Sequence, residues 1–234
     1  MSNLRFLIIE YEQHSSLMPR INNDTALHYL QTFYNDPQIA KVERIQSLWS
    51  AYGEIARYVV PSLRKSVVVK LVSPPKKNEH PRGWDGEVSH KRKLDSYINE
   101  SIFYQQYGHQ TNPYCRTPVC YFSSNSEASF TKAGKDTSLL IMEDLDQAGF
   151  YKRISEPNLE TIKLGVRWLA FFHARYLNKA LPNVWPVGTY WHLATRPNEF
   201  AKMPSSELKS KARDIDETLN TAKYQTLLHG DAKL

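Results

Sequence analysis

A lysine in the middle of an apolar run is the first residue of chemical interest. Lys70 lies in a β-branched stretch over 66–72 that predicts a strand. Removing an ammonium group from water is costly unless an anion meets it, so Lys70 requires an acidic partner. Glu100 is the candidate, because it is embedded in the apolar face of a helix predicted over 91–107. Aromatic residues share that face at offsets of −3, +3, +4 and +7: Tyr97, Phe103, Tyr104 and Tyr107.

A pair formed by Lys70 and Glu100 indicates phosphate binding. A lysine on a strand that pairs with a glutamate on the following helix holds nucleotide phosphates in kinases. The alternative is that Lys70 extends along the edge of a sheet while Glu100 faces water.

The segment one strand before Lys70 offers backbone groups for the same task. Ser50, Tyr52 and Gly53 lie in a short stretch between two apolar segments, where backbone amides could approach phosphate oxygens closely. A plain hairpin turn also explains this stretch, since it lacks the G-x-G-x-x-G and G-K-[ST] spacings.

Two strand ends carry the remaining candidates. Met142, Glu143 and Asp144 end an apolar strand, where free backbone groups could supply the donor and acceptor that an adenine ring needs; an ordinary strand end with solvated acids is the alternative. The sequence His229-Gly230-Asp231 follows a short apolar run over 226–228, which we predict to be a strand. The glycine there permits an unusual turn, and Asp231 could accept a proton from a hydroxyl group that attacks phosphorus.

The composition describes an ordinary globular chain. Of its 234 residues, 41% are hydrophobic and 23% are charged, which excludes disorder as the main state. The net charge of +6 suits phosphate binding, but there is no nucleic-acid motif and no basic helix with interleaved aromatic residues. No stretch has transmembrane length, and the apolar run at 6–9 is too short for a secretory signal. We therefore expect a cytoplasmic protein without nucleic-acid or membrane partners; its oligomeric state is open.

The order of elements predicts an α+β fold in two parts. Residues 1–143 are expected to form a five-stranded antiparallel sheet with one long helix, and residues 144–234 to be mainly helical. A change from alternating to helical periodicity after residue 143 marks the boundary. The predicted strands comprise three between 42 and 72, then 116–122 and 137–143; the predicted helices are 24–34, 91–107, 159–177 and 205–224, and loops are predicted over 73–89 and 123–136.

Together these residues resemble the aminoglycoside phosphotransferase and choline kinase superfamily, and within it the ecdysteroid kinase-like branch. The resemblance spans nearly the whole chain and rests on seven segments in the family's order. SLWSAYGEI resembles the phosphate loop, SVVVKLV the lysine strand, YINESIFYQQY the glutamate helix and LLIMEDLDQAGF the hinge. GVRWLAFFHARYL resembles a helix of the second lobe, GTYWHLATRP a stretch typical of the branch, and TLLHGDAKL the catalytic loop.

The resemblance implies a bilobal protein kinase-like fold, with an antiparallel-sheet N-lobe and a mainly helical C-lobe. Such a protein binds ATP with Mg²⁺ and transfers the γ-phosphoryl group to a hydroxyl group of a small molecule. By match, Lys70 holds the α- and β-phosphates, Glu100 orients Lys70, the backbone of 142–144 takes adenine and Asp231 is the catalytic base. The phosphate loop has Ala51 where the family often has a glycine. A non-catalytic nucleotide-binding or scaffold protein is the alternative.

The magnesium ligands of this family fall outside the sequence. In the family, an asparagine follows the aspartate of H-G-D by five positions, and a further acidic motif comes later. That asparagine would be residue 236, whereas the sequence ends at Leu234. We therefore expect a C-lobe that is cut short, no metal ligand within the chain, and poor or absent turnover by what would be a fragment or truncated product. The acceptor is not defined by these residues.

Overall fold

The computed structural model describes four stretches of the chain, 23–74, 87–123, 138–188 and 192–232. They form a mixed α+β structure with a five-stranded antiparallel sheet and several helices, as predicted. The apolar run at 6–9, most of the loops predicted over 73–89 and 123–136, and residues 189–191 lie outside these stretches. No helix within them is both long enough and apolar enough to cross a bilayer.

The sheet has the strand order β1-β2-β3-β5-β4, and every neighbouring pair is antiparallel. Its central strand is the β-branched run around Lys70, because such side chains pack well on both faces of a buried strand. The edge strand β4 begins later than predicted, at Cys120 rather than at residue 116. The strands are β1 (Ala40–Ser47), β2 (Gly53–Val60), β3 (Lys65–Val72), β4 (Cys120–Ser123) and β5 (Ser138–Glu143).

Side chains along the strands alternate between two helices, one on each face of the sheet. Helix α1 (Asn23–Phe33) buries Ala26 and Leu30 fully against one face. Helix α2 (Glu87–Ile102) follows β3 and packs on the other face, where residues from both sides form a small core: Leu48, Tyr52, Ile55, Val72, Leu94 and Tyr97. Since Val69 and Leu71 belong to the α1 side and Val72 to the α2 side, Lys70 points toward α2.

The chain after β5 is mainly helical and packs against the end of α2. It contains α3 (Leu159–Arg175), the short α4 (Pro197–Lys202) and α5 (Glu207–Asn220). Helix α2 continues as a π-helical turn over 103–107, and the Tyr176 hydroxyl donates to the Tyr107 carbonyl at 2.8 Å. The core at this junction is aromatic and includes Phe103, Tyr107, Cys115, Trp168, Phe172 and Tyr176.

The strand predicted over 226–228 was wrong. In the structure this segment has no strand pairing, and the C-terminal end of α3 holds it instead. The Asn178 amide donates to the Gln225 carbonyl at 2.7 Å, and the Thr226 hydroxyl donates to the His173 carbonyl at 2.6 Å. A strand requires a neighbouring strand to complete its ladder of hydrogen bonds, and none of the described strands pairs with this segment.

Candidate functional site

Lys70 and Glu100 form an ion pair between the centre of the sheet and α2. In β3, Lys70 is paired with Ile55 of β2 and Leu140 of β5, so apolar strands flank it on both sides. Its Nζ lies 2.5 Å from Oε2 of Glu100 and 5.1 Å from the centre of the Tyr97 ring. The Lys70 side chain is only 12% exposed. A cation in this position needs its carboxylate partner, as the sequence pattern predicted.

The turn before β2 is tight and depends on its glycine. The Leu48 amide donates to the Gly53 carbonyl at 2.8 Å and closes the turn around a 3-10 segment over 49–51. Gly53 has a φ of +136°, and a Cβ atom there would lie 2.0 Å from the Leu71 carbonyl oxygen. Ala51 has a φ of +58°, in the left-handed region that favours glycine. The backbone therefore retains a glycine-like conformation at Ala51.

The side chain of Tyr52 anchors this turn to α2. Tyr52 is buried, and its hydroxyl shares a hydrogen bond of 2.5 Å with Nδ1 of His90. The Nζ atom of Lys93 lies 4.1 Å from the centre of the Tyr52 ring, which is a cation–π distance. Tyr97 packs on the same ring at 6.4 Å between centroids. The turn is thus held beside the helix that carries Glu100.

The end of β5 is fastened by two arginines. Glu143 accepts from Nη2 of Arg116 at 2.6 Å, and its own amide donates to the Val119 carbonyl at 2.8 Å. Asp144 is buried and accepts from Nε of Arg57 at 2.7 Å and from the Ser66 hydroxyl at 2.5 Å. The side chains of Glu143 and Asp144 are therefore engaged in structural contacts. Only the backbone of 142–144 can serve the ligand role that the sequence suggested.

The environment of Asp144 favours its ionised form. Burial by itself raises the pKa of the Asp144 carboxyl, but hydrogen bonds from Arg57, Ser66 and the Asp146 amide, together with the Arg57 charge, lower it below the usual value. The hydrogen bonds to Asp144 and Asp146 and the charges of these two carboxylates, led by the hydrogen bond to Asp144, raise the pKa of Arg57 although burial opposes them. A second carboxylate, that of Asp146, lies 2.5 Å from Arg57 Nη2. The network joins β2, β3 and the segment that leaves β5.

Asp231 lies at the tip of an exposed loop beside α3. Its amide donates to Nδ1 of His229 at 3.3 Å, and Gly230 before it has a φ of +78°. The His229 ring meets the Trp168 ring edge-on, with 5.9 Å between centroids. His173 lies nearby, and burial followed by the charge of His229 lowers its pKa. The loop that carries Asp231 therefore rests against α3. The glutamate that pairs with Lys70, by contrast, lies on α2.

Arg116 links the Asp231 side of the structure to the end of β5. Its guanidinium pairs with Glu143, and its carbonyl accepts from Nε1 of Trp168 at 3.1 Å. The indole of Trp168 is in turn the ring that His229 contacts. Packed side chains therefore connect the end of β5 to the loop that carries Asp231.

Sequence reasoning missed four side chains of this region, namely Arg57, His90, Lys93 and Arg116. Lys93 could have been found, because it precedes Glu100 by seven residues and so lies on the same helical face. No local sequence pattern marks Arg57, His90 or Arg116, since each of them bonds to a residue that is distant along the chain. Arg57 and Asp144, for example, are 87 positions apart.

Comparisons with known proteins add no relative. No protein-family model matches the chain, and no curated protein matches it. Within the four described stretches, no group of three or more His, Cys, Asp or Glu side chains is placed to hold a metal ion. The site has to be interpreted from its own residues.

Proposed function

We propose that this chain belongs to an ATP-dependent phosphotransferase of the small-molecule kinase type, with a bilobal kinase-like arrangement. The observation that carries the proposal is the ion pair between Lys70 on β3 and Glu100 on α2, at 2.5 Å. In kinases this pair orients the lysine toward the nucleotide phosphates. The glycine-dependent turn over 48–53 supports the proposal, because it places backbone close to the same face of the sheet.

The segment 142–144 is the proposed contact for adenine. Two of its backbone groups are already engaged, since the Glu143 amide donates to Val119 and the Asp144 carbonyl accepts from the Ala148 amide at 3.0 Å. We therefore assign the donor role to the Asp144 amide, which the Arg57 network holds in place. The apolar side chains of Leu140 and Met142, both buried, belong to the strand that leads to this segment.

Asp231 is the proposed catalytic base, which would accept the proton of the attacking hydroxyl group. Mg²⁺ would neutralise charge on the transferring phosphoryl group. We propose no residue of the described stretches as a ligand of Mg²⁺. The acceptor is assigned only as a small molecule with a hydroxyl group, and neither nucleic acid nor membrane is proposed as a partner.

A nucleotide-binding protein without catalysis is the second candidate. The observation that favours it is the same ion pair, because Lys70 and Glu100 can hold phosphates whether or not transfer follows. The two candidates differ in the role of Asp231, so they require separate experiments.

Thermal denaturation with ATP tests the binding half of the proposal. At a hundredfold excess of ATP over its Kd, binding stabilises the folded chain by about 2.7 kcal/mol. We expect Lys70→Met to weaken ATP at least about tenfold, because a hydrogen bond to a charged group is lost. That change reduces the stabilisation at the same ATP concentration to about 1.4 kcal/mol or less.

A second lysine–glutamate pair of the sheet provides the matched control. Lys41 and Glu54 are also 2.5 Å apart, but Glu54 lies on the same face of β2 as Ala56 and Tyr58, which pack on the α1 side of the sheet. Lys41→Met is therefore expected to leave the ATP shift unchanged. If Lys70→Met and Lys41→Met behave alike toward ATP, the nucleotide does not bind at the Lys70–Glu100 pair.

Phosphoryl transfer from ATP in the presence of Mg²⁺ is tested with a panel of small hydroxyl compounds. We expect Asp231→Asn to reduce kcat strongly with little change in the Kd for ATP, because the substitution removes the base and leaves the phosphate contacts intact. Transfer that survives Asp231→Asn refutes the assigned base. ATP binding without transfer to any compound favours the second candidate.

A further inference from the structure

Lys93 is a cation that the proposed nucleotide site leaves without a role. Lys93, Tyr97 and Glu100 lie on one face of α2, at spacings of four and three residues. At about 1.5 Å of rise per residue, Lys93 and Glu100 are separated by about 10 Å along the helix axis. This face is turned toward the sheet, because the Lys93 ammonium lies over the Tyr52 ring and the Lys70 ammonium over the Tyr97 ring.

Lys93 differs from its basic neighbours in having no acidic partner among the residues that the structure describes. Lys91 pairs with Asp95 at 2.9 Å, and Arg92 reaches Glu199 at 3.7 Å. In the part of the chain that the structure describes, no carboxylate forms an ion pair with Lys93. Burial, and after it the charge of Arg92, lower the pKa of the Lys93 ammonium. A half-buried cation in this condition gains from an incoming anion.

The surroundings of Lys93 are suited to an extended anion. The buried Tyr52 ring is held by its hydrogen bond to His90, so it is a fixed surface. The Lys93 ammonium lies over the Tyr52 ring and the Lys70 ammonium over the Tyr97 ring, and these two rings are 6.4 Å apart between centroids. The tight turn that precedes β2 ends at Tyr52, so its backbone lies at the same place. Lys93 of α2 and Lys70 of β3 thus place two separated cations along this face of α2. Such a pair matches a chain of linked phosphates better than a single phosphate.

We propose that Lys93 is the contact for the terminal phosphate, and that the site selects nucleoside triphosphates over diphosphates. The polyphosphate lies along this face of α2, with Lys70 on the phosphates nearest the nucleoside and Lys93 on the last one. A diphosphate held by Lys70 does not reach Lys93. This inference rests on the proposed function and adds to it the number of phosphates that the site requires.

Calorimetric titration with ATP and with ADP tests the inference on binding alone. We expect Lys93→Met to weaken ATP about tenfold, which corresponds to about 1.4 kcal/mol, while ADP changes less than about twofold. Lys91→Met is the matched control, because Lys91 lies on the same helix but is exposed and paired with Asp95. It should leave both affinities unchanged, and Lys93→Arg should retain most of the preference for ATP.

Other outcomes overturn the inference, and they separate it from the proposed function. If Lys93→Met lowers the melting temperature of the free chain but keeps the ratio of ATP to ADP affinity, Lys93 is only a structural residue. If Lys70→Met abolishes ATP binding while Lys93→Met does not affect it, the proposed function stands and this inference fails. If the unaltered chain does not bind ATP, both fail.

A measurement on the unaltered chain remains decisive if the Lys93 variants do not fold. Inorganic tripolyphosphate is expected to displace ATP at a concentration about tenfold lower than pyrophosphate does, because only the longer anion reaches both lysines. Equal displacement by the two anions contradicts a terminal phosphate contact at Lys93.

Discussion

Replacing Arg57 by methionine is expected to destabilise the protein, because it leaves a buried carboxylate without its cation. The Asp144 side chain is only 3% exposed, and Arg57 Nε lies 2.7 Å from its Oδ2 atom. Breaking a buried ion pair by removal of one partner costs about 3–5 kcal/mol. Ser66 and the Asp146 amide still donate to Asp144 in the variant, so we expect a loss near the lower end, about 3 kcal/mol.

The loss should depend on pH with a definite sign. The folded pKa of Asp144 lies below the ordinary value of 3.8, so its contribution to stability is complete above that pH and is lost as the pH falls through the folded pKa. In Arg57→Met the main lowering influence is gone, and burial raises the pKa of Asp144. The difference in stability between the two proteins is therefore largest near neutral pH and shrinks in acid.

Urea denaturation of both proteins at about pH 7 and at about pH 3 measures these quantities. Arg44→Met, on the exposed strand β1, is the control and should change stability by less than about 0.5 kcal/mol. The double variant Arg57→Met/Asp144→Asn should be more stable than Arg57→Met alone, since it removes the buried charge. A loss below about 1 kcal/mol at neutral pH, or an equal loss at both pH values, would falsify this account.

Two further predictions concern the turn before β2 and the neighbourhood of the Asp231 loop. Gly53→Ala places a Cβ atom 2.0 Å from the Leu71 carbonyl oxygen, so urea denaturation should show a loss above about 2 kcal/mol. Gly165→Ala is the control, because no atom outside its chain neighbours and the backbone of its own helix lies within 4 Å of the added Cβ, and it should stabilise the protein by about 0.5–1 kcal/mol. Equal effects of the two substitutions contradict the steric argument. The lowered pKa of His173 means that stability falls as the pH drops below 6.5, and His173→Gln should flatten that decline; an unchanged pH profile contradicts it.

The strands could be predicted where local composition was decisive. The β-branched run of β3 and the apolar run of β5 both appear close to the expected positions. The run over 226–228 has similar local composition but forms no strand, because the Thr226 hydroxyl and the neighbouring Gln225 carbonyl are hydrogen-bonded at the C-terminal end of α3 instead. Strand formation depends on a partner strand, which composition within a single segment does not reveal.

The site was predictable where a charged residue lay within an apolar segment. Lys70 among valines and Glu100 among aromatic residues each required a polar partner, and each was the nearest suitable partner for the other. The side chains of Glu143 and Asp144 gave no such signal, and their binding by Arg116 and Arg57 emerged only when the strands were paired. Their acidic side chains hold the protein together at the place where the sequence suggested ligand contacts.

Local patterns of this chain indicated most of its strands and longer helices and which two charges have to meet, since periodicity and the cost of an isolated buried charge act over short distances. Only the tertiary structure decided that α1 and α2 cover opposite faces of the sheet, that the Asp231 loop rests on α3, and that Lys93 stands over Tyr52 without a carboxylate partner among the described residues. These features arise from packing between segments that are far apart in the chain, and no single segment carries the information that specifies them.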